Sequence, residues 1–352
     1  MYHLFKILTG IVFATALQVQ GESIPARGPI GLIWEAPLET ESSFFAGISA
    51  LINTYEVEMK TRLVPGKRGK VGIKVNTRSG RGLSTPLELL RAVIKAFEER
   101  GFERQAILIL DYSMYGLREA GIVPVSGTGA VAFEGCPVYA LDSELYYDMD
   151  WFYESPLPPS QDQELQFTRE LGGEGNAVPD GARERKSFLP MPLLFEVDFW
   201  VNLAVGVDDR ALGVDGALAN ATLWNVSNNQ RFLQSEATAS AAVAEIAAIP
   251  ELNERMLLHF VPLSLYQYIG GPQFNSLYTY SEPLLWMSSD PVAIDRLLFE
   301  RINTLRRNNG FPEIESLPRQ LLFAASLGLG TFDKERIRIK QIGAKENPLR
   351  IE

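Results

Sequence analysis

A lysine at the end of an otherwise apolar run is the first residue whose placement points to chemistry. The run Lys70–Asn76 (KVGIKVN) is followed by Thr77 and Arg78. Period-two alternation puts Lys74 and Asn76 on one face of a strand. In open α/β sheets, ligands bind at the carboxyl ends of strands. There Lys74 and Arg78 would hold negative charge, and Asn76 would orient the ligand. The plain alternative is a lysine that reaches solvent from an edge strand, or one tied into a structural pair.

A second group is Ser288-Ser289-Asp290-Pro291-Val292-Ala293-Ile294-Asp295. Asp290 or Asp295 would move a proton or bind a hard divalent metal such as Mg²⁺ or Ca²⁺. Asp290 also suits a helix cap with Pro291 in the first turn. Asp295 equally suits a place near the positive end of that helix. A third group is Asn220, Asn225, Asn228, Asn229 and Arg231. Amides and a guanidinium make a polar recognition surface, although asparagines also favour turns. Asn220 and Asn225 head N-x-S/T sequons.

Two other chemistries have little to work with. Cys136 is the one cysteine, so a disulfide within the chain and an iron–sulfur cluster are not expected. Beyond His3, His259 is the one histidine, and it sits in the apolar run Met256–Val261. Catalysis of the Ser-His-Asp or Cys-His kind would have to run through it. A core or strand histidine is the plainer reading.

The elements that must position these residues follow from the pattern. Lys70–Asn76 and Gln105–Asp111 read as strands, and Leu89, Leu90, Val93, Ile94 and Phe97 recur at helical spacing between them. Thr85 is expected to cap that helix, and Gly101 to close it. Strand, helix and strand within about forty residues form a βαβ unit with neighbouring parallel strands. Further strands are expected at Pro29–Trp34, Phe195–Val205, Met256–Val261, Leu284–Met287 and Arg336–Ile342. Helices are expected at Ser42–Tyr55, Ser235–Ala248 (ended by Pro250), from Pro291 to near Gly310, and at Leu317–Leu327. Residues 142–190 differ: aromatics among acids, then prolines and glycines, read as a long excursion of the binding-loop kind or a surface decoration.

The chain has 352 residues and a net charge of −10. Lys6, an apolar stretch from Ile7 to Val19 and small residues before Glu22 make residues 1–21 a secretory signal peptide. A second cut, after Ala14-Thr15-Ala16, would leave a very short apolar stretch. Removal of residues 1–21 takes away Lys6 and no acid. That leaves 32 basic against 43 acidic residues, a net −11. A chain this acidic is not expected to bind nucleic acid through phosphate contacts, which need a basic surface. No later stretch has the roughly 20 apolar residues of a membrane span.

VGIKVN, STPLELLRAVIKAFEERGF and AILILD, with GGPQFN and SSDPVAID further on, resemble domain-of-unknown-function family 362. The resemblance spans roughly Val71 to Gly330. The family carries no settled activity, and its relatives often hold a cysteine-rich ferredoxin-type segment that this chain lacks. The resemblance points to Lys74, Asn76, Asp290 and Asp295 as site residues.

The expectation is therefore one large α/β domain, residues 22–352. It has a mainly parallel sheet flanked by helices and a long irregular insertion. The expected function is an exported, periplasmic or extracellular enzyme, or degenerate enzyme, acting on a small anionic ligand at the strand ends. The competing classes are a non-catalytic binding protein for a small polar ligand and an envelope protein docking through its Tyr146–Tyr153 aromatics. Nothing in the sequence fixes cofactor, metal or oligomeric state.

Overall fold

The computed structural model describes residues 24–38, 43–124, 131–154 and 186–343. The expected signal peptide and residues 155–185 of the expected insertion lie outside the described residues. Strands occur in the order β1 (Leu32–Pro37), β2 (Val71–Lys74), β3 (Ile107–Asp111), β4 (Ala132–Phe133), β5 (Cys136–Ala140), β6 (Tyr147–Glu154), β7 (Lys186–Pro190) and β8 (Phe199–Leu203). They continue with β9 (Val207–Asp209), β10 (Gly213–Asp215), β11 (Met256–Pro262), β12 (Tyr266–Gln267), β13 (Thr279–Tyr280), β14 (Leu284–Ser288) and β15 (Arg338–Gln341).

The main sheet has nine strands in the order β15-β1-β14-β11-β8-β2-β3-β5-β4. From β11 to β5 every pairing is parallel. β14 runs antiparallel to both its neighbours, and β4 is antiparallel to β5. β2 and β3 are neighbours with Lys74 opposite Leu110, and the helix Leu87–Glu98 joins them. From β2 the chain builds outward through β3 and β5. It then returns to add β8 and β11 on the other side. The strand order thus reverses between β2 and β8, where α/β sheets open a crevice.

The reason these strands are so apolar is that both sheet faces are covered. In β3, Ile107 and Ile109 join the core under the helices Ser43–Glu58 and Leu87–Glu98. Leu108 and Leu110 join the opposite core, with residues of Glu236–Ala247, Pro291–Asn308 and Arg319–Ser326. Gly72 is fixed by packing: a Cβ there would lie 2.1 Å from the Trp200 ring. A small sheet, β10-β9-β12-β13, sits after β8 and supplies two aspartates to the site below.

Several boundaries differ from the pattern. Thr85 does not cap the helix that follows, because Pro86 holds the N-cap position and the cap has no side-chain bond. The Thr85 hydroxyl instead accepts from Asn76 N (2.8 Å) and donates to Leu203 O (2.7 Å), tying two strand ends together. Pro250 stands two residues past the C-cap Ala248 of the Ala-rich helix, where a proline stops a helix, and it also opens the short helix Pro250–Arg255. The strand around Phe199 is shorter than its apolar run, because Pro192–Glu196 forms a π-helical turn. The insertion begins and ends in a hairpin pairing of β6 with β7. Its Trp151 and Phe152 meet Phe195 and Phe188 edge to face, and Tyr153 meets Phe232 at a tilt. They pack against the core and are not presented as an exposed patch. Among the described residues, no helix is long and apolar enough to cross a membrane.

Candidate functional site

A cleft of about 320 Å³ opens beyond the carboxyl ends of β2 and β3. Thr77, Arg78 and Gly80 wall it after β2, and Asp111, Tyr112, Ser113, Tyr115 and Gly116 wall it at and after the end of β3. Asn220, Trp224, Asn229 and Gln230 close the third side, and Gln273 of the GGPQFN turn reaches it from a fourth. That turn sits on the loop after β2: Phe274 N donates to Ser79 O (3.1 Å), and a Cβ on Gly82 would meet the Phe274 ring at 2.1 Å.

Lys74 lies beneath this cleft, fully buried, and does not line it. An ammonium has three donors, and here all three are used. Nζ donates to Asp111 Oδ1 (2.6 Å), Asn220 Oδ1 (3.0 Å) and Val75 O (2.6 Å). Burial pulls the lysine below its ordinary range, and Asp111 opposes that pull. Asp111 is as fully engaged. Its Oδ1 also accepts from Tyr112 N (2.8 Å), and its Oδ2 accepts from Thr77 N (2.9 Å) and Thr77 Oγ1 (2.6 Å). The pair is a satisfied ionic floor without an exposed lone pair.

The network continues sideways along the switch point. Asn220 Nδ2 donates to Asn202 Oδ1 (2.6 Å), and Asn202 sits opposite Lys74 in the β2–β8 register. Asn202 Nδ2 donates to Ala217 O (2.8 Å) and faces His259 Nδ1 at 3.0 Å. Because the amide donates, Nδ1 accepts and the ring proton belongs on Nε2. Burial lowers the His259 pKa to about 3, so the ring is neutral. The strand reading of His259 is what the structure shows.

Arg78 reaches the cleft wall with its side chain 21% exposed. Its Nη1 contacts Asp209 Oδ2 (3.1 Å) and Asp215 Oδ2 (2.8 Å), and its guanidinium lies 3.8 Å over the Trp224 ring. Trp224 Nε1 donates to Asp215 Oδ1 (2.9 Å). Burial pushes Asp215 up to about 6, against the pull of Arg78. Nε and Nη2 of Arg78 have no hydrogen bond among the described residues.

The other expected site residues fall in three places. Asn76 is buried, and its Oδ1 accepts from Arg78 N (3.1 Å), which shapes the loop after β2. Asn225 Nδ2 donates to Asn220 O (3.0 Å), and Arg231 Nε donates to Ser187 Oγ (3.1 Å) beside β7. Neither lines the cleft. Asn220 and Asn225 are fully buried, so neither sequon is open to modification in the folded chain.

Asp295 stands one step behind the network. Its carboxylate accepts from Ala217 N (2.6 Å) and Leu218 N (2.9 Å), at the start of the helix Ala217–Ala221 that carries Asn220. A Cβ on Gly216 would lie 2.3 Å from it, so that glycine is required. Burial pushes Asp295 up to about 7.

Asp290 belongs to a different place. It caps its helix through Ala293 N (2.9 Å) and accepts from Gly31 N (2.9 Å) and Thr331 N (3.0 Å). Both carboxylates expected to bind a metal or move a proton thus spend their oxygens on peptide N–H groups. Among the described residues, no three of His, Cys, Asp and Glu converge to hold a metal.

Asp111, Thr77, Asp209, Asp215 and Trp224 shape the cleft and were not singled out from the sequence. Asp111 had a usable signal: like Lys74, it ends a buried apolar strand.

No family model matches this chain, and no curated protein matches it. Among solved structures, a Thermotoga maritima structural-genomics protein is similar at 11% identity, with a TM-score of 0.35. The alignment covers 66% of this chain and 52% of that one, so the chain spans about half that protein's length. A likeness this loose bears on neither fold nor chemistry.

Proposed function

We propose that this chain is an exported protein that binds a small polar molecule in the cleft beyond β2 and β3. The observation that carries the reading is a coincidence of three features at one point. The cleft, the reversal of strand order and the buried Lys74–Asp111 pair meet there. Burying an ion pair is costly compared with apolar packing, and perturbed ionisable groups gather at functional sites. The pair fixes the cleft floor, and Arg78 supplies the donor that faces the ligand. Of the polar and anionic ligands that suit such a site, the polar ones fit better, because both cations already hold carboxylates.

A thermal-shift screen of small polar metabolites tests the reading, since a ligand bound only by the native state raises Tm. A hit is expected, and it should vanish in Gln273→Trp, which fills the cleft from an exposed position. A panel without hits, or a hit indifferent to Gln273→Trp, overturns it.

Catalysis has one supporting observation, the raised acids Asp215 and Asp295. Neither lines the cleft, so binding is the reading adopted. We further propose that the chain is a divergent relative of domain-of-unknown-function family 362. The motifs that carry the resemblance supply β2, β3 and the Gln273 turn, all of which build the cleft. Export predicts a mature chain starting near Glu22. A secreted chain whose intact mass still includes Met1 would refute that route.

A further inference from the structure

The composition of the cleft narrows the ligand class, and this step rests on the binding reading above. The ionisable side chains at or beneath the cleft comprise two cations, Lys74 and Arg78, and four carboxylates, Asp111, Asp209, Asp215 and Glu119. Every cation is already paired, and Glu119 is an exposed surplus acid on the rim. An incoming anion therefore finds no uncompensated positive charge. An incoming cation finds Asp111, Asp209 and Asp215 already held by donors, and the exposed Glu119 offers only a solvent-screened contact.

The second observation is Tyr115. It lines the cleft yet is 72% exposed, on the short helix Met114–Glu119 just after β3. It has no ring or hydrogen-bond partner among the described residues. Its helix is pressed onto the floor: a Cβ on Gly116 would lie 2.3 Å from Thr77 Oγ1. The helix backbone is therefore fixed, and an exposed phenol on it offers an apolar face with only two side-chain torsions to order on binding. Opposite chemistry is at hand on the other walls. Arg78 Nε and Nη2 have no partner among the described residues, and neither has the exposed side-chain amide of Gln273.

We infer that the ligand is an uncharged ring bearing several hydroxyls, a neutral sugar, seated with its C–H face on Tyr115. Its hydroxyls would exchange hydrogen bonds with Arg78 and Gln273. A sugar ring has one apolar face and a polar edge, which matches one aromatic wall and amide and guanidinium groups around it. A volume of about 320 Å³ is at the small end of ligand pockets and suits one or two such rings.

Titration calorimetry on the purified protein tests this with glucose, galactose, mannose, glucuronate and glucosamine. At least one neutral hexose should bind, and its charged counterpart should bind at least tenfold more weakly. Tyr115→Ala should weaken the neutral sugar at least tenfold, and Tyr115→Phe should stay within about threefold of the parent. Glu119→Gln should recover part of the glucuronate affinity. Tighter binding of either charged sugar, or indifference to Tyr115→Ala in a folded variant, overturns the inference. If no sugar binds but another polar compound does, and Gln273→Trp abolishes it, the sugar class falls and the cleft reading stands. If nothing in either panel binds, both fall.

Discussion

Asp111 and Asp290 are both buried aspartates saturated by neighbouring donors, yet one borders a cleft and the other closes a seam. Asp111 ends β3, which runs with the parallel block, so it opens onto the carboxyl edge of the sheet, near the point between β2 and β8 where the strand order reverses. Asp290 follows β14, which runs the other way. Ser288 at the end of β14 pairs with His259, while Pro262 at the end of β11 pairs with Leu285. The exit of β14 therefore lies toward the amino-terminal ends of the parallel strands. There Asp290 stitches together Gly31, Ala293 and Thr331, three segments far apart in sequence. Strand direction, more than residue type, decides whether these two buried acids face the cleft or a joint.

The largest effect should come from splitting the ionic floor. Lys74→Met leaves Asp111 buried without its cation, and breaking a buried pair costs about 3–5 kcal/mol. Urea unfolding should show a loss of that order. The double variant Lys74→Met, Asp111→Leu should recover part of it, but not all, because the Thr77 and Tyr112 N–H groups lose their acceptor. A loss under about 1 kcal/mol in the single variant would mean the pair is not the rivet its geometry implies.

Next in size is the seam. Asp290→Ala orphans three buried peptide N–H groups and removes a helix cap, which costs roughly 2–4 kcal/mol. Amide exchange at Gly31 and Thr331 should quicken, while ligand binding in the cleft should persist. Loss of binding from a folded Asp290→Ala protein would erase the contrast between the two regions.

The pH dependence sharpens the same contrast within the cleft side. Burial raises Asp295 to about 7 and Asp215 to about 6, from an ordinary 3.8. Between these values the folded chain holds protons that the unfolded chain has released. Stability from these two groups therefore falls as pH rises from about 4 to about 7, by at most roughly 1.4 kcal/mol per unit for each. His259 acts oppositely: its folded pKa near 3 is below the ordinary 6.5, so its contribution is lost as pH falls through that window. Asp295→Asn should remove part of the slope between pH 4 and 7, seen as unfolding midpoints against pH. An unchanged slope would mean Asp295 is ionised throughout.

Much of the frame was legible because periodicity and burial are local signals. The β2–helix–β3 unit and the helix from Pro291 fall where the apolar spacing puts them. Lys74 and Asn220 were legible as residues, and their meeting rests on a switch point that no local pattern announces. Asp290 was misplaced by assuming that every strand end faces one edge; the reversed direction of β14 has no sequence mark. Thr85 looked like a cap because caps are local, but its hydroxyl serves two distant strands. Asp209 and Asp215 lay hidden in short strands of three residues each.

The smallest stability effect belongs to the cleft rim, and it separates rim from floor. Tyr115 and Glu119 are exposed and border the cleft that Asp111 helps to form. Neither makes a hydrogen bond or ion pair among the described residues, so little native structure is lost with them. Tyr115→Ala and Glu119→Gln should each change unfolding free energy by less than about 0.5 kcal/mol, the range of surface substitutions away from special features. Lys74→Met, a short distance beneath, should cost several times more. A rim as costly as the floor would make Tyr115 a packing residue whose exposure misleads. A rim that is neutral for stability but decisive for binding is the division of labour expected when a rigid ionic base presents a replaceable contact surface.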